Sequence, residues 1–241
     1  MKHTIKMLSI FPEIFDSFLK VGLLEKAIAK GCLEVETINI RDFTDDPHRS
    51  VDDAPYGGGA GMLMKVEPVV RALEAAGDGK RILLSPQGRR FDQKRAMELA
   101  KQQKLIFLCG RYEGFDERIC RHVDMLLSAG DYVLHGGEVA AMVITEAVVR
   151  LHPDFMGNVQ SLSEETFSSG LLEYPQYTRP ESFRGMGVPG ILLSGHHENI
   201  RRWRRGFALL RTKRLRPDLF EKLALSGEDI ALLAEAEAAE K

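Results

Sequence analysis

Between residues 105 and 142 short apolar runs alternate with glycine turns. Residues 105–109 run into Gly110, residues 125–127 into Gly130, and residues 132–134 into Gly136 and Gly137. Runs this short, each ended by a turn residue, predict buried strands that deliver loops to one edge of a sheet. A helix is predicted over 138–150. Its first-turn amides face whatever those loops hold.

The same alternation runs upstream. Strands are predicted over 5–11, 33–40 and 81–84, and helices over 13–19, 23–30, 67–76 and 93–101. Strand and helix in turn predict an α/β sheet with helices on its faces. In such sheets ligands sit beyond the carboxyl ends of the strands, here the loops 85–88, 110–114 and 129–137. Residues 41–65 form a long stretch of turn formers. Gly57, Gly58, Gly59 and Gly61 predict a mobile loop, and Asp45, Asp46, Asp52 and Asp53 are expected to be solvated.

After Leu151 the pattern breaks. Residues 153–169 are polar and aperiodic and read as an interdomain linker, and 170–180 are turn-rich. Ile200, Trp203, Phe207 and Leu210 then fall at helical spacing and predict an apolar core stripe. Arg201, Arg202, Arg204, Arg205, Arg211, Lys213, Arg214 and Arg216 surround it, with no acid between Glu198 and Pro217. So unbalanced a run is expected to contact phosphate. Residues 220–239 read as an acidic surface helix.

Composition narrows the picture little. A chain of 241 residues with formal net charge -2 can bury a core, and any nucleic-acid footprint must be local. Cys32, Cys109 and Cys120 form no C-x-x-C pair and read as reduced thiols in a cytoplasmic protein. No apolar run is long enough to span a bilayer, so no membrane partner is expected. The dinucleotide, P-loop, zincin and nucleophile-elbow motifs are all missing.

Five segments carry a resemblance: SPQGRRFDQ, CGRYEGFDER, AGDYVLHGGE, GLLEYPQYTRP and SGHHENIRRWR, with SIFPEIF and VDDAPYGGGAGMLM upstream. Together they resemble the TrmD family of bacterial tRNA (guanine-37-N1)-methyltransferases, in order over nearly the whole chain. The resemblance implies an α/β SPOUT-type sheet with a trefoil knot, plus a small helical C-terminal domain. The implied division is a catalytic domain over 1–152, a linker over 153–169 and a tRNA-binding domain over 170–241. It implies a homodimer acting on tRNA and not DNA, with active sites shared between subunits. S-adenosylmethionine is the implied cofactor, with Mg2+ as an optional aid and no metal-binding residue assigned.

Carried over by residue, Pro86, Gly88, Gly110, Tyr112, Glu113, Gly114, Ala129, Gly130, Asp131, Tyr132, Val133, Leu134, Gly136 and Gly137 would contact the cofactor. Arg150 matches the family's catalytic arginine. Glu165, just before Thr166–Phe167, stands where the family has an aspartate base, so the carboxylate is kept on a longer arm. Arg179, His196, Arg201, Arg202, Arg205 and Lys213 would bind tRNA.

Overall fold

The computed structural model describes residues 2–152, 166–167 and 170–240. The expected linker and Glu165 thus lie almost wholly outside the described residues. The chain divides into two compact units, 1–157 and 158–241.

The first unit runs β1 (His3–Ser9), α1 (Gly22–Ala29), β2 (Leu33–Asn39), α2 (Val66–Ala75), β3 (Lys80–Arg90), α3 (Gln93–Ala100), β4 (Lys104–Cys109), β5 (Met125–Ser128) and α4 (Glu138–Val149). The strands form one sheet in the order β2-β1-β4-β3-β5, and every pairing is parallel. A parallel sheet needs both faces covered, and the inner strand β4 is accordingly a near-continuous apolar run. β4 shows the two-residue period directly. Leu105, Phe107 and Cys109 enter a core with Ile5, Met7 and Ile144, while Ile106 and Leu108 enter a second core with Leu83, Val69 and Leu73.

Three expectations for the first unit need correction. β3 does not stop at Leu84. Leu84 and Arg89 both pair with Leu127, so residues 85–88 bulge from a strand that rejoins the sheet. Gly88 makes this return feasible, because a Cβ there would stand 2.3 Å from the backbone nitrogen of Leu127.

Residues 132–134 are not a buried strand. Tyr132, Val133 and Leu134 are exposed, and the turn at Gly130 leads them off the sheet and over its carboxyl edge. A three-residue apolar run between glycines suits a cavity wall as well as a strand, which is why periodicity misread it.

The loop 41–65 is anchored rather than loose. Val51 and Met64 are fully buried, Asp52–Asp53 pairs with Leu63–Met64, and Lys65 N–H donates to the Val51 carbonyl at 2.8 Å. Its tip, around Tyr56, stands fully exposed. Two of its acids hold it in place: Asp46 accepts from Ser50 N–H within the loop, and Asp45 pairs with Arg71 of α2 at 2.7 Å.

The second unit is built on α5 (His197–Leu215) and α6 (Gly227–Ala239). Ser226 caps α6 reciprocally with Asp229, satisfying two backbone N–H groups. The helices meet at Gly206, where a Cβ would lie 2.6 Å from the Leu232 carbonyl oxygen. The buried face of α5 is Gly206, Ala208, Leu209, Leu210 and Thr212. The expected stripe is therefore displaced: Trp203 and Phe207 are half-buried and stack on each other at 4.3 Å. The acidic tail is not one surface helix either. Residues 221–226, after the short helix Pro217–Phe220, are not helical, and Leu232, Leu233 and Ala236 of α6 are core.

Candidate active site

The carboxyl ends of β3, β4 and β5 open into a cavity of about 450 Å³, a volume in the range of small-molecule sites. Pro86, Gly110, Tyr112, Glu113, Gly114, Ala129, Gly130, Tyr132, Val133, Leu134, Gly136 and Gly137 line it. Two residues expected there do not. Gly88 is spent on backbone packing against Leu127, and Asp131 points to Arg90 at 3.7 Å. Sequence reasoning missed Leu84, Ser85, Gln87 and Phe115 as lining residues. Ser85 and Gln87 were within reach of it, since they stand inside the loop already marked.

Close approach, rather than unusual backbone angles, accounts for the paired glycines. A Cβ on Gly137 would come within 2.8 Å of Cys109 Cα, and one on Gly136 within 2.3 Å of Arg111 Nε. Gly137 N–H donates to the Gly110 carbonyl at 2.9 Å, fastening the start of α4 to the end of β4. Ser128 Oγ donates to the Gly130 carbonyl at 2.8 Å and holds the turn after β5.

A charge pair stands at the cavity wall, where Arg111 lines it. Glu138, the first residue of α4, is buried. Its Oε1 accepts from Ser9 Oγ at 2.6 Å and from Arg111 Nε at 3.2 Å, and its Oε2 lies 3.0 Å from Arg111 Nη2. The Arg111 guanidinium also stands 4.9 Å from the Phe11 ring centroid, a cation–π contact. Burial, with the Glu138 charge adding to it, pushes the Cys109 thiol well above its ordinary range, so Cys109 is an inert core residue. Tyr112 has a left-handed φ of 60°. Burial first, then the Asp52 carboxylate, raise its hydroxyl above the usual phenol value, against the opposing effect of Arg41.

Arg150 does not line the cavity. It caps the far end of α4. At 1.5 Å per residue that is roughly 20 Å from Gly137 along the helix axis. Among the described residues no group of three or more His, Cys, Asp or Glu could hold a metal ion.

In the second unit α6 answers the basic run of α5. Arg202 pairs with Glu228 and Glu235, Arg205 with Asp229, Lys213 with Glu237, and Arg214 with Glu240. Arg201 pairs within its own helix with Glu198 at 2.7 Å, with both side chains exposed. Arg179 and His196 are exposed. The compensating acids sit more than twenty residues downstream, where a window confined to α5 does not see them. No described helix is long and apolar enough to cross a membrane.

Comparison with known proteins fits this geometry. The sequence model of the family described as "tRNA (Guanine-1)-methyltransferase TrmD" matches residues 1–222. A protein of Dictyoglomus turgidum named tRNA (guanine-N(1)-)-methyltransferase is 55% identical over 233 residues, covering 96% of this chain and 95% of its own length. Proteins of the same name from Clostridium perfringens and Clostridium tetani are 51% identical over 232 residues and 50% identical over 240. These alignments cover 95% and 98% of this chain and 98% and 100% of the relatives.

Proposed function

Because the chain belongs to the TrmD family of tRNA (guanine-1)-methyltransferases, we propose that it methylates N1 of guanosine 37 in tRNAs with guanosine at position 36. S-adenosylmethionine would be the methyl donor. The product, 1-methylguanosine beside the anticodon, guards the reading frame. One observation carries the reading. Glycine loops from separate segments, 110–114 and 129–137, meet at the carboxyl edge of a parallel sheet to wall one cavity.

The residues present suit the cofactor. Gly136 and Gly137, packed without a Cβ against Arg111 and Cys109, present bare backbone to the cavity. Leu84, Pro86, Leu134 and Ala140 offer apolar contact. Tyr112 and Glu113 add polar groups at the rim. When bound, S-adenosylmethionine supplies a methyl group on a sulfonium, which is electrophilic without further activation.

Guanine N1 carries a proton and is a poor nucleophile, so the chain's task is to take that proton and stabilise charge on O6. Glu165 is the proposed general base, a role that requires hydrogen-bond reach of N1. Arg150 is the proposed stabiliser of the developing O6 charge. The target base must leave its stack to enter the site. Mg2+ is an optional aid in this reading, with no metal-binding residue assigned.

The assembly proposed is a homodimer in which Arg150 of the partner subunit completes each site. Two observations support it. Arg150 stands a helix length from its own cavity, and α4 exposes Val139 and Val143 on one face. The knotted SPOUT topology is proposed on the same family basis, and the return of residues 89–90 to the sheet beside β5 is compatible with it.

The deciding experiment uses labelled S-adenosylmethionine and two tRNA transcripts, one with guanines at 36 and 37, the other with adenine at 37. Label on N1 of guanine in the first alone establishes the activity. Label in neither, with cofactor binding intact, removes this substrate.

A further inference from the structure

We infer that one stripe of α5, carrying Arg204 and Arg211, takes the tRNA phosphates, while α6 shields the opposite basic face of that helix from RNA. The inference rests on the proposed tRNA reading and names the surface that serves it.

The basic run is usually counted as a whole, but the fold divides it. On the side facing α6, the four cations Arg202, Arg205, Lys213 and Arg214 meet five carboxylates, Glu228, Asp229, Glu235, Glu237 and Glu240. That seam carries no net positive charge, so a polyanion gains nothing by approaching it.

Arg204 and Arg211 lie seven residues apart, two helical turns, and so share one stripe. Both are exposed. Neither makes an ion pair among the described residues. Arg204 instead rests its guanidinium 4.8 Å from the Tyr174 ring centroid. Such stacking fixes the cation without neutralising it.

The surface next to this stripe points the same way. A groove of about 540 Å³ runs beside Arg204, walled by Tyr174, Tyr177 and Arg179. Its one acid is Glu181. Aromatic faces interleaved with arginines are the chemistry that receives an unstacked base and its phosphates. The acidic seam offers neither.

The test measures binding of a tRNA transcript by the full-length protein across a salt series, together with melting temperature. Arg204→Ala and Arg211→Ala should each weaken binding about five- to tenfold and flatten the plot of log K against log salt by roughly one. Neither should move the melting temperature. Arg202→Ala and Lys213→Ala should change affinity less than about twofold. Glu235→Gln with Glu237→Gln should tighten binding, which a purely structural α6 would not do.

Loss of affinity and salt slope in Arg202→Ala and Lys213→Ala, equal to that of the Arg204 and Arg211 variants, would overturn the assignment. So would unchanged binding in Arg204→Ala with Arg211→Ala combined. Wild-type methylation of tRNA alongside either result confines the failure to this inference. A wild-type protein that neither binds nor methylates tRNA removes both readings.

Discussion

Arg111 and Glu138 join the ends of two elements: the guanidinium at the exit of β4 lies 3.0 Å from the buried carboxylate that begins α4. The pair sets where the loops on either side of the cavity stand, since Gly110 and Gly137 are their immediate neighbours. Removing one partner of a buried pair strands the other charge, at about 3–5 kcal/mol. Arg111 retains some solvent contact, so the lower end applies. Glu138→Ala should lower unfolding free energy by about 3 kcal/mol in urea and weaken S-adenosylmethionine binding. Ser9→Ala, which leaves the ion pair in place, should cost about 1 kcal/mol.

The paired glycines give a sharper contrast. Gly137→Ala forces a Cβ against Cys109 Cα at 2.8 Å, so α4 must shift off β4. Overpacking of this kind costs about 1–3 kcal/mol. Cofactor affinity measured by calorimetry should fall about tenfold. Gly58→Ala meets nothing within 4 Å, but its φ of +77° strains an L-residue. It should cost about 1 kcal/mol and leave cofactor affinity alone.

These cases also mark what the chain disclosed before folding. β4 was readable because its run is apolar and bounded by clear stops, and β2 because its apolar and polar residues alternate. The cavity loops were readable because their glycines stand at strand ends. The return of β3 after its bulge was not, since SPQGRR looks like a turn and pairs only because Leu127 offers its backbone twice. The basic run of α5 misled for a related reason. Its counter-charges come from α6, and local composition carries no information about a helix that packs back from far along the chain.

Asp229 links pH to the stability of the second unit. Its hydrogen bond with Arg205, at 2.7 Å, holds its pKa down at about 2, against 3.8 for a free aspartate. A depressed pKa means the stabilisation is fully present above about pH 4 and is lost as pH falls towards about 2. With partial screening at Arg205 it amounts to roughly 1–2 kcal/mol. Asp229→Asn should therefore melt below wild type at neutral pH, and the gap should close on acidification across that window. A constant gap would show that the capping bond to Ser226, rather than the charge, is what Asp229 contributes.

Glu165→Gln tests the proposed base. The amide keeps size and polarity but cannot take a proton. Turnover should fall about a hundredfold or more, with cofactor affinity unchanged. Wild-type turnover would remove Glu165 from that role.

Shared sites make a prediction that single variants cannot. If each cavity borrows Arg150 from the other subunit, Arg150→Ala and a cofactor-site variant should rescue one another in mixed dimers. Leu134→Arg serves as the second variant. Leu134 lines the cavity and is partly exposed, so an arginine there would put a bulky cation into the space proposed for a cationic cofactor without disturbing the core. Each homodimer should be inactive, the first for want of the stabilising arginine and the second for want of cofactor. A mixed dimer holds one intact cavity on the Arg150→Ala subunit, completed by the intact arginine of its partner. Random pairing makes about half the dimers mixed with one working site each, so roughly a quarter of wild-type activity should return. Activity that stays at background, with mixed dimers verified by mass, would place Arg150 in the service of its own subunit. That outcome would require α4 or the segment after it to bring Arg150 back across the length of the helix.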